Sequence, residues 1–265
     1  MVRAEDGKVY LTGAGPGDER LITVRGLEVL QQADCIVYDR LVNGRLLRYA
    51  KDHAELIYCG KSCGDHVMDQ HTINELLVAK AKAGRRVVRL KGGDPLIFGR
   101  GGEEAAYCRQ HGVSFEIIPG VTSGIAAAAY AGIPLTHREY NSSVAFVTGH
   151  RQVGEIGDGV DWGRLAEAVE TLVIYMGVGS LPQIRDALVT YGRPLQTPVA
   201  IIRWGTLSDQ HTWITTVGEM ADPEVLHQIK PPSIIVIGEV VSLREELCWF
   251  DSQAAEASGS MRSAR

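Results

Sequence analysis

One short apolar run after another ends in a turn rich in glycine and polar groups, and a helical pattern follows it. That alternation constrains this chain more than any other feature. Val9-Tyr10-Leu11 leads into Gly13-Ala14-Gly15-Pro16-Gly17-Asp18, then a helical pattern over residues 23–33. Strands over 35–38 and 55–58 end at Asp39 and at Gly60-Lys61. A helix over 69–83 precedes a strand at 87–90, and the turn Lys91 to Glu104, KGGDPLIFGRGGEE, opens a helix to about 111. A strand at 115–118 runs into Pro119-Gly120-Val121-Thr122-Ser123, and a small-residue helix covers 124–131. Repeated strand–turn–helix units predict an α/β fold with a mostly parallel sheet covered on both faces. In such sheets ligands gather at the carboxyl ends of strands, where the chemically rich residues here fall.

Residues 132–143 read as a linker, and a second unit starts with the strand at 144–147. Strands over 171–176, 199–204, 212–217 and 233–237, with a helix over 181–191, complete it. The 199–217 stretch suits an antiparallel addition, so this half is expected to carry a mixed sheet. The expected domains are 1–135 and 136–251, followed by a tail, 252–265, of Ala, Ser and Gly without periodicity, expected to be disordered.

At 265 residues, with 45% apolar and 22% charged residues, the chain has the composition of an ordinary globular protein. Its net charge of -5 gives no whole-molecule bias towards nucleic acid, so attraction to an acidic ligand must be local. The first residues hold no apolar signal region, and no apolar stretch is long enough to span a bilayer. Five cysteines without framework spacing suit reduced thiols, and a cytoplasmic protein is expected. The early start of the first glycine turn gives the expectation that no fused domain precedes it.

The turn from Lys91 to Glu104 carries the densest chemistry. Its glycines allow close approach of backbone to ligand. Asp94 can accept hydrogen bonds from a ligand or cap a helix, and Arg100 offers a planar fork suited to carboxylates. Gly13-x-Gly15-x-Gly17 resembles the start of a dinucleotide fingerprint, but the third glycine of that fingerprint falls at Asp18, and Pro16 removes a donor. A ligand turn other than a pyrophosphate clamp fits better. Asp39, ending a strand, suits either a turn cap or a proton acceptor, and Lys61 on position alone is a solvated lysine. Cys59, Cys63, His66 and His71 lack the spacing of a zinc site, so no metal is expected. Arg138 sits in the linker, where an interdomain cleft favours ligands. Met176 is either core or a polarizable cleft wall.

From about Val9 to Phe250 the chain resembles the tetrapyrrole methylase family. The motifs are LTGAGPGDERLIT, IVYDRLV, GGDPLIFGRGGEE, PGVTSGIAAAAYAGIPLTHR, VTGH, VIYMG and IIVIGEVV. YDRLV together with FGRGGEE and PLTHR is similar to the members that methylate uroporphyrinogen III. The alternative is a member acting on a later precorrin or cobalt-precorrin of cobalamin synthesis. The resemblance implies the family's two α/β domains rather than a dinucleotide-binding Rossmann fold, with the active site in the cleft between them, and a homodimer. It implies two methyl transfers from S-adenosylmethionine, giving precorrin-2 through precorrin-1, without a metal. Whether sirohaem or cobalamin synthesis uses the product stays open. By motif position the donor meets Pro16, Gly92, Gly93, Asp94, Ile97, Thr122, Ser123, Met176 and Gly205. Ser123 and Trp204 depart from the alanine and asparagine common at those places. Proton acceptor and donor map to Asp39 and Lys61, with Arg100 also catalytic. A substrate with many carboxylates calls for Arg40, Arg100, Arg138 and Arg151, with Glu103 orienting an arginine and Met176 lining the pocket.

Overall fold

The computed structural model describes residues 7–60, 68–149 and 159–250. Lys61, Cys63, His66, Arg151 and the tail after residue 250 lie outside them. The chain forms two compact units, dividing between Ser123 and Gly124.

The first unit is built on β1 (Lys8–Gly13), β2 (Cys35–Tyr38), β3 (Glu55–Tyr58), β4 (Arg86–Lys91) and β5 (Ser114–Ile118), all parallel, in the order β3-β2-β4-β1-β5. Helices α1 (Val24–Gln32), α2 (Gln70–Lys82) and α3 (Gly101–Gln110) connect them. Thr23 caps α1 through the Gly26 amide and Asp69 caps α2 through the Thr72 amide, each satisfying a donor the helix leaves open. One sheet face carries Val9, Leu11, Val37 and Val87 against Leu77, Ala81 and Cys108. The other carries Ile36, Val88 and Leu90 against Val29, Leu30 and Leu46. Alternate residues of β4 thus serve opposite cores, as the two-residue period of a strand dictates.

The second unit begins with α4 (Ser123–Tyr130), followed by β6 (Val144–Thr148), α5 (Trp162–Ala168), β7 (Thr171–Tyr175), α6 (Leu181–Thr190), β8 (Pro198–Arg203), β9 (His211–Thr216), α7 (Pro223–Gln228), β10 (Ser233–Ile237) and α8 (Arg244–Leu247). Its sheet has the order β6-β7-β10-β8-β9 and is mixed: β6 and β7 are parallel, and β10 is antiparallel to both β7 and β8. One face packs Leu172, Ile174, Ile201 and Ile235 against Leu181, Ile184 and Leu188. The other packs Val173, Tyr175, Ala200 and Ile202 against Ala127 and Ala128. The small-residue helix α4 therefore belongs with the second sheet, and the division falls before it rather than at the linker after residue 131. Its alanines also let it lie close to the turn after β8: a Cβ on Gly205 would sit 2.5 Å from the Ala127 Cβ. Among the described residues no helix is long and apolar enough to cross a membrane.

Candidate functional site

Because the first sheet is wholly parallel, every strand-end turn of that unit lies along one edge. β4 and β5 flank β1, so the turns after these three strands are neighbours. They lock together through backbone. Gly15 and Gly93 exchange amide hydrogen bonds of 3.2 and 2.7 Å. A Cβ on Gly13 would lie 2.5 Å from the Gly120 Cα and 2.6 Å from the Gly93 oxygen, so only glycine allows this approach. Asp94 ties the third loop in. Its Oδ1 accepts from the Leu96 and Ile97 amides at 2.8 and 3.2 Å, and its Oδ2 accepts from the Gly120 amide at 3.0 Å. Pro16, Gly92, Gly93, Asp94, Thr122 and Ser123 are thus brought to one loop cluster. Beyond it Leu96, Ile97 and Phe98 stand exposed, and both Phe98 and Arg100 hold left-handed backbone. Such strained dihedrals at a strand end persist where the surroundings over-determine them.

Arg100 and Glu103 form a two-point pair, Nε to Oε1 and Nη2 to Oε2, each 2.8 Å. The hydrogen bonding raises the arginine's pKa and lowers the carboxyl's. Both side chains are more than half exposed, so the pair adds little to folding.

Asp39 caps its own turn, its Oδ1 accepting from the Leu41 amide at 3.2 Å, and its Oδ2 faces the buried Arg89 at 3.6 Å. There the sequence reading missed a charged cluster, because a short apolar run conceals which face of a strand its charges take. Arg89 and Lys91 share a face of β4 and are buried, as is Glu104 on α3. Arg89 Nε and Lys91 Nζ both donate to Glu104 Oε1, at 3.0 and 2.9 Å, and Gln70 Nε2 donates to it at 3.2 Å. Burial lowers the Lys91 pKa, with Arg89 adding to the effect. Burial also opposes the charge on Arg89, but Glu104 and Asp39 outweigh it and hold its pKa up. The one spacing that hinted at this was Arg89-x-Lys91 inside a core strand.

In the second unit β7 and β8 both run opposite to β10, so their carboxyl ends share an edge. Met176 follows β7 with left-handed backbone and an exposed side chain. Trp204 and Thr206, after β8, are left-handed too, on either side of Gly205. Gln210 holds this turn, accepting from the Thr206 amide at 2.8 Å and donating to the Tyr130 carbonyl at 3.2 Å. Arg138 is exposed in the turn that the Asn141 side chain closes through the His137 amide. Arg40 is exposed beside Asp39. Cys59 is a buried free thiol, and His71 pairs with Glu75 on the surface. Among the described residues no three His, Cys, Asp or Glu side chains come together as metal ligands.

Known proteins give this architecture its context. The chain is 58% identical over 236 residues to the uroporphyrinogen-III C-methyltransferase of Priestia megaterium, covering 89% of this chain and 99% of that one. It is 53% identical over 247 residues to the enzyme of the same name from Bacillus subtilis, covering 93% and 96% of the two chains. The crystal structure of uroporphyrin-III C-methyl transferase from Thermus thermophilus complexed with S-adenyl homocysteine matches with a TM-score of 0.77 and 38% identity. That match covers 89% of this chain and all of the other. The family model for tetrapyrrole (corrin/porphyrin) methylases matches residues 8–221. With the interlocked glycine turns and the motifs that build them inside that span, this chain belongs to the tetrapyrrole methylase family.

Proposed function

We propose that this protein is an S-adenosylmethionine-dependent C-methyltransferase that converts uroporphyrinogen III to precorrin-2 through precorrin-1. The observation that carries the reading is identity above one half, over nearly the full length of both chains, to relatives named for that substrate. Bound S-adenosylmethionine supplies an activated methyl carbon on its sulfonium sulfur. The glycine turns fit such a donor: without side chains they allow close approach to the main chain, and the exposed Leu96, Ile97 and Phe98 beside them offer apolar surface to an adenosyl group. Pro16, Gly92, Gly93, Asp94, Ile97, Thr122 and Ser123 of the first unit, with Met176 and Gly205 of the second, are the proposed donor contacts.

The electron-rich pyrrole carbon would bond the methyl as the methyl–sulfur bond breaks, S-adenosylhomocysteine would leave, and the ring, now positively charged, would lose a proton. Asp39 is the proposed acceptor, a carboxylate partly open to solvent and fixed at its other oxygen. Lys61 is the proposed proton donor. Arg100 and Arg138 hold substrate carboxylates, Glu103 orients Arg100, and Met176 lines the pocket. Positioning and proton transfer are within the ordinary reach of side chains. The family resemblance also supports a homodimer at work in the cytoplasm. Incubation with uroporphyrinogen III and S-adenosylmethionine, followed by mass spectrometry, tests the reading. Two added methyl groups are expected. An unmodified tetrapyrrole, with a later precorrin methylated instead, overturns it.

A further inference from the structure

Arg89 is a costly residue for a core strand. A buried ion pair is commonly no more stabilising than apolar side chains of the same volume, so folding alone gives little reason for it. Its guanidinium is divided among four partners. Nε goes to Glu104 at 3.0 Å, and Nη1 to the Val37 and Leu90 carbonyls at 3.3 Å each. Nη2 is directed elsewhere, to Asp39 Oδ2 at 3.6 Å. The charge count agrees with that direction. Arg89 and Lys91 set two buried cations against the single buried carboxylate of Glu104, and Asp39 is the second anion facing Arg89. Arg89 and Glu104 are 4% and 0% exposed at the side chain, whereas Asp39 is 30% exposed, so the rigid end of the chain of charges is inside.

We propose that Arg89, locked in place by Glu104, is a positioning residue that sets the direction of the Asp39 carboxylate for proton removal. The inference rests on reading Asp39 as the proton acceptor. A guanidinium reaches Glu104 and Asp39 at once, and an ammonium at the same position serves only one of them. Arg89→Lys therefore keeps the buried charge and breaks the bridge.

The test is a double-mutant cycle of Arg89→Lys and Asp39→Asn, read by single-turnover methyl transfer, S-adenosylhomocysteine affinity and melting temperature. Arg89→Lys is expected to slow transfer about tenfold or more, with donor affinity and melting little changed. In the Asp39→Asn background the same substitution is expected to cost less than about twofold, because the carboxylate it orients is gone. A purely structural arginine gives the opposite pattern: equal losses in both backgrounds, or wild-type transfer in Arg89→Lys. Either result overturns the inference while leaving Asp39 as the acceptor. Full transfer by Asp39→Asn alone overturns the reading of Asp39 itself. Should Arg89→Lys fail to fold, Arg89→Gln, which leaves the buried Lys91–Glu104 pair in place, enters the same cycle.

Discussion

Replacing Asp94 by alanine is expected to loosen the first unit and weaken donor binding together. Its carboxylate accepts three amide hydrogen bonds. Leu96 and Ile97 are exposed, so their amides turn to water at small cost. The Gly120 amide is part-buried and belongs to another loop, so its loss separates the turns after β4 and β5. A hydrogen bond to a charged group contributes about 1.5–3 kcal/mol. For a unit of this size that lowers the melting temperature by on the order of 5–10 °C. Asparagine offers one acceptor oxygen where aspartate has two, so Asp94→Asn keeps the local turn or the inter-loop bond and not both. It is expected to fall between wild type and alanine. Scanning calorimetry and S-adenosylhomocysteine titration on both variants give the answer. An unchanged melting temperature with collapsed donor affinity would refute the reasoning, because Asp94 would then act on the ligand alone and contribute nothing to holding the loops together.

Gly13→Ala puts a methyl within 2.6 Å of both Gly120 and Gly93. Overpacking of that kind costs about 1–3 kcal/mol, and both melting temperature and donor affinity are expected to drop. Arg100→Lys and Arg138→Lys are each expected to slow uroporphyrinogen methylation strongly and leave donor affinity near wild type. Melting should move by less than about 0.5 kcal/mol equivalent, since both side chains are exposed. A joint loss of stability and both ligands would instead mark the arginines as structural. Hydrogen bonds from Arg25 and then Lys8 hold the Glu116 carboxyl down at about 2, against an ordinary 4.5. A depressed carboxyl stabilises the fold above its unfolded pKa, so this contribution is present above pH 4.5 and disappears as pH falls towards 2. Arg25 is about half exposed, which limits the effect to about 1 kcal/mol. Glu116→Gln should flatten acid unfolding across that window, and an unchanged acid limb would count against the pair.

Periodicity and turn chemistry were enough to read most of the strands and longer helices, because apolar alternation and glycine punctuation are local properties. The same signals singled out the turns after β1 and β4 as candidate ligand loops and predicted a mixed second sheet. The short α5, α7 and α8 escaped notice, since four to seven residues hold too few turns to show a helical period.

Other features depended on tertiary structure. Which sheet α4 covers was not written in its alanines; they pack on any apolar surface, and only contact with Ala200 and Ile202 assigns them. Asp94 could serve a ligand or a helix cap on its sequence, and only folding joins its two oxygens to the amides of two different loops. Arg89, Lys91 and Glu104 were visible as residues and not as a cluster, because Glu104 is 15 positions from Arg89 in sequence and meets it only when α3 lies on the sheet. Sequence sets the chemistry available at each strand end. Strand order decides which of those groups become neighbours, because hydrogen-bonded pairing, not chain distance, brings them within reach.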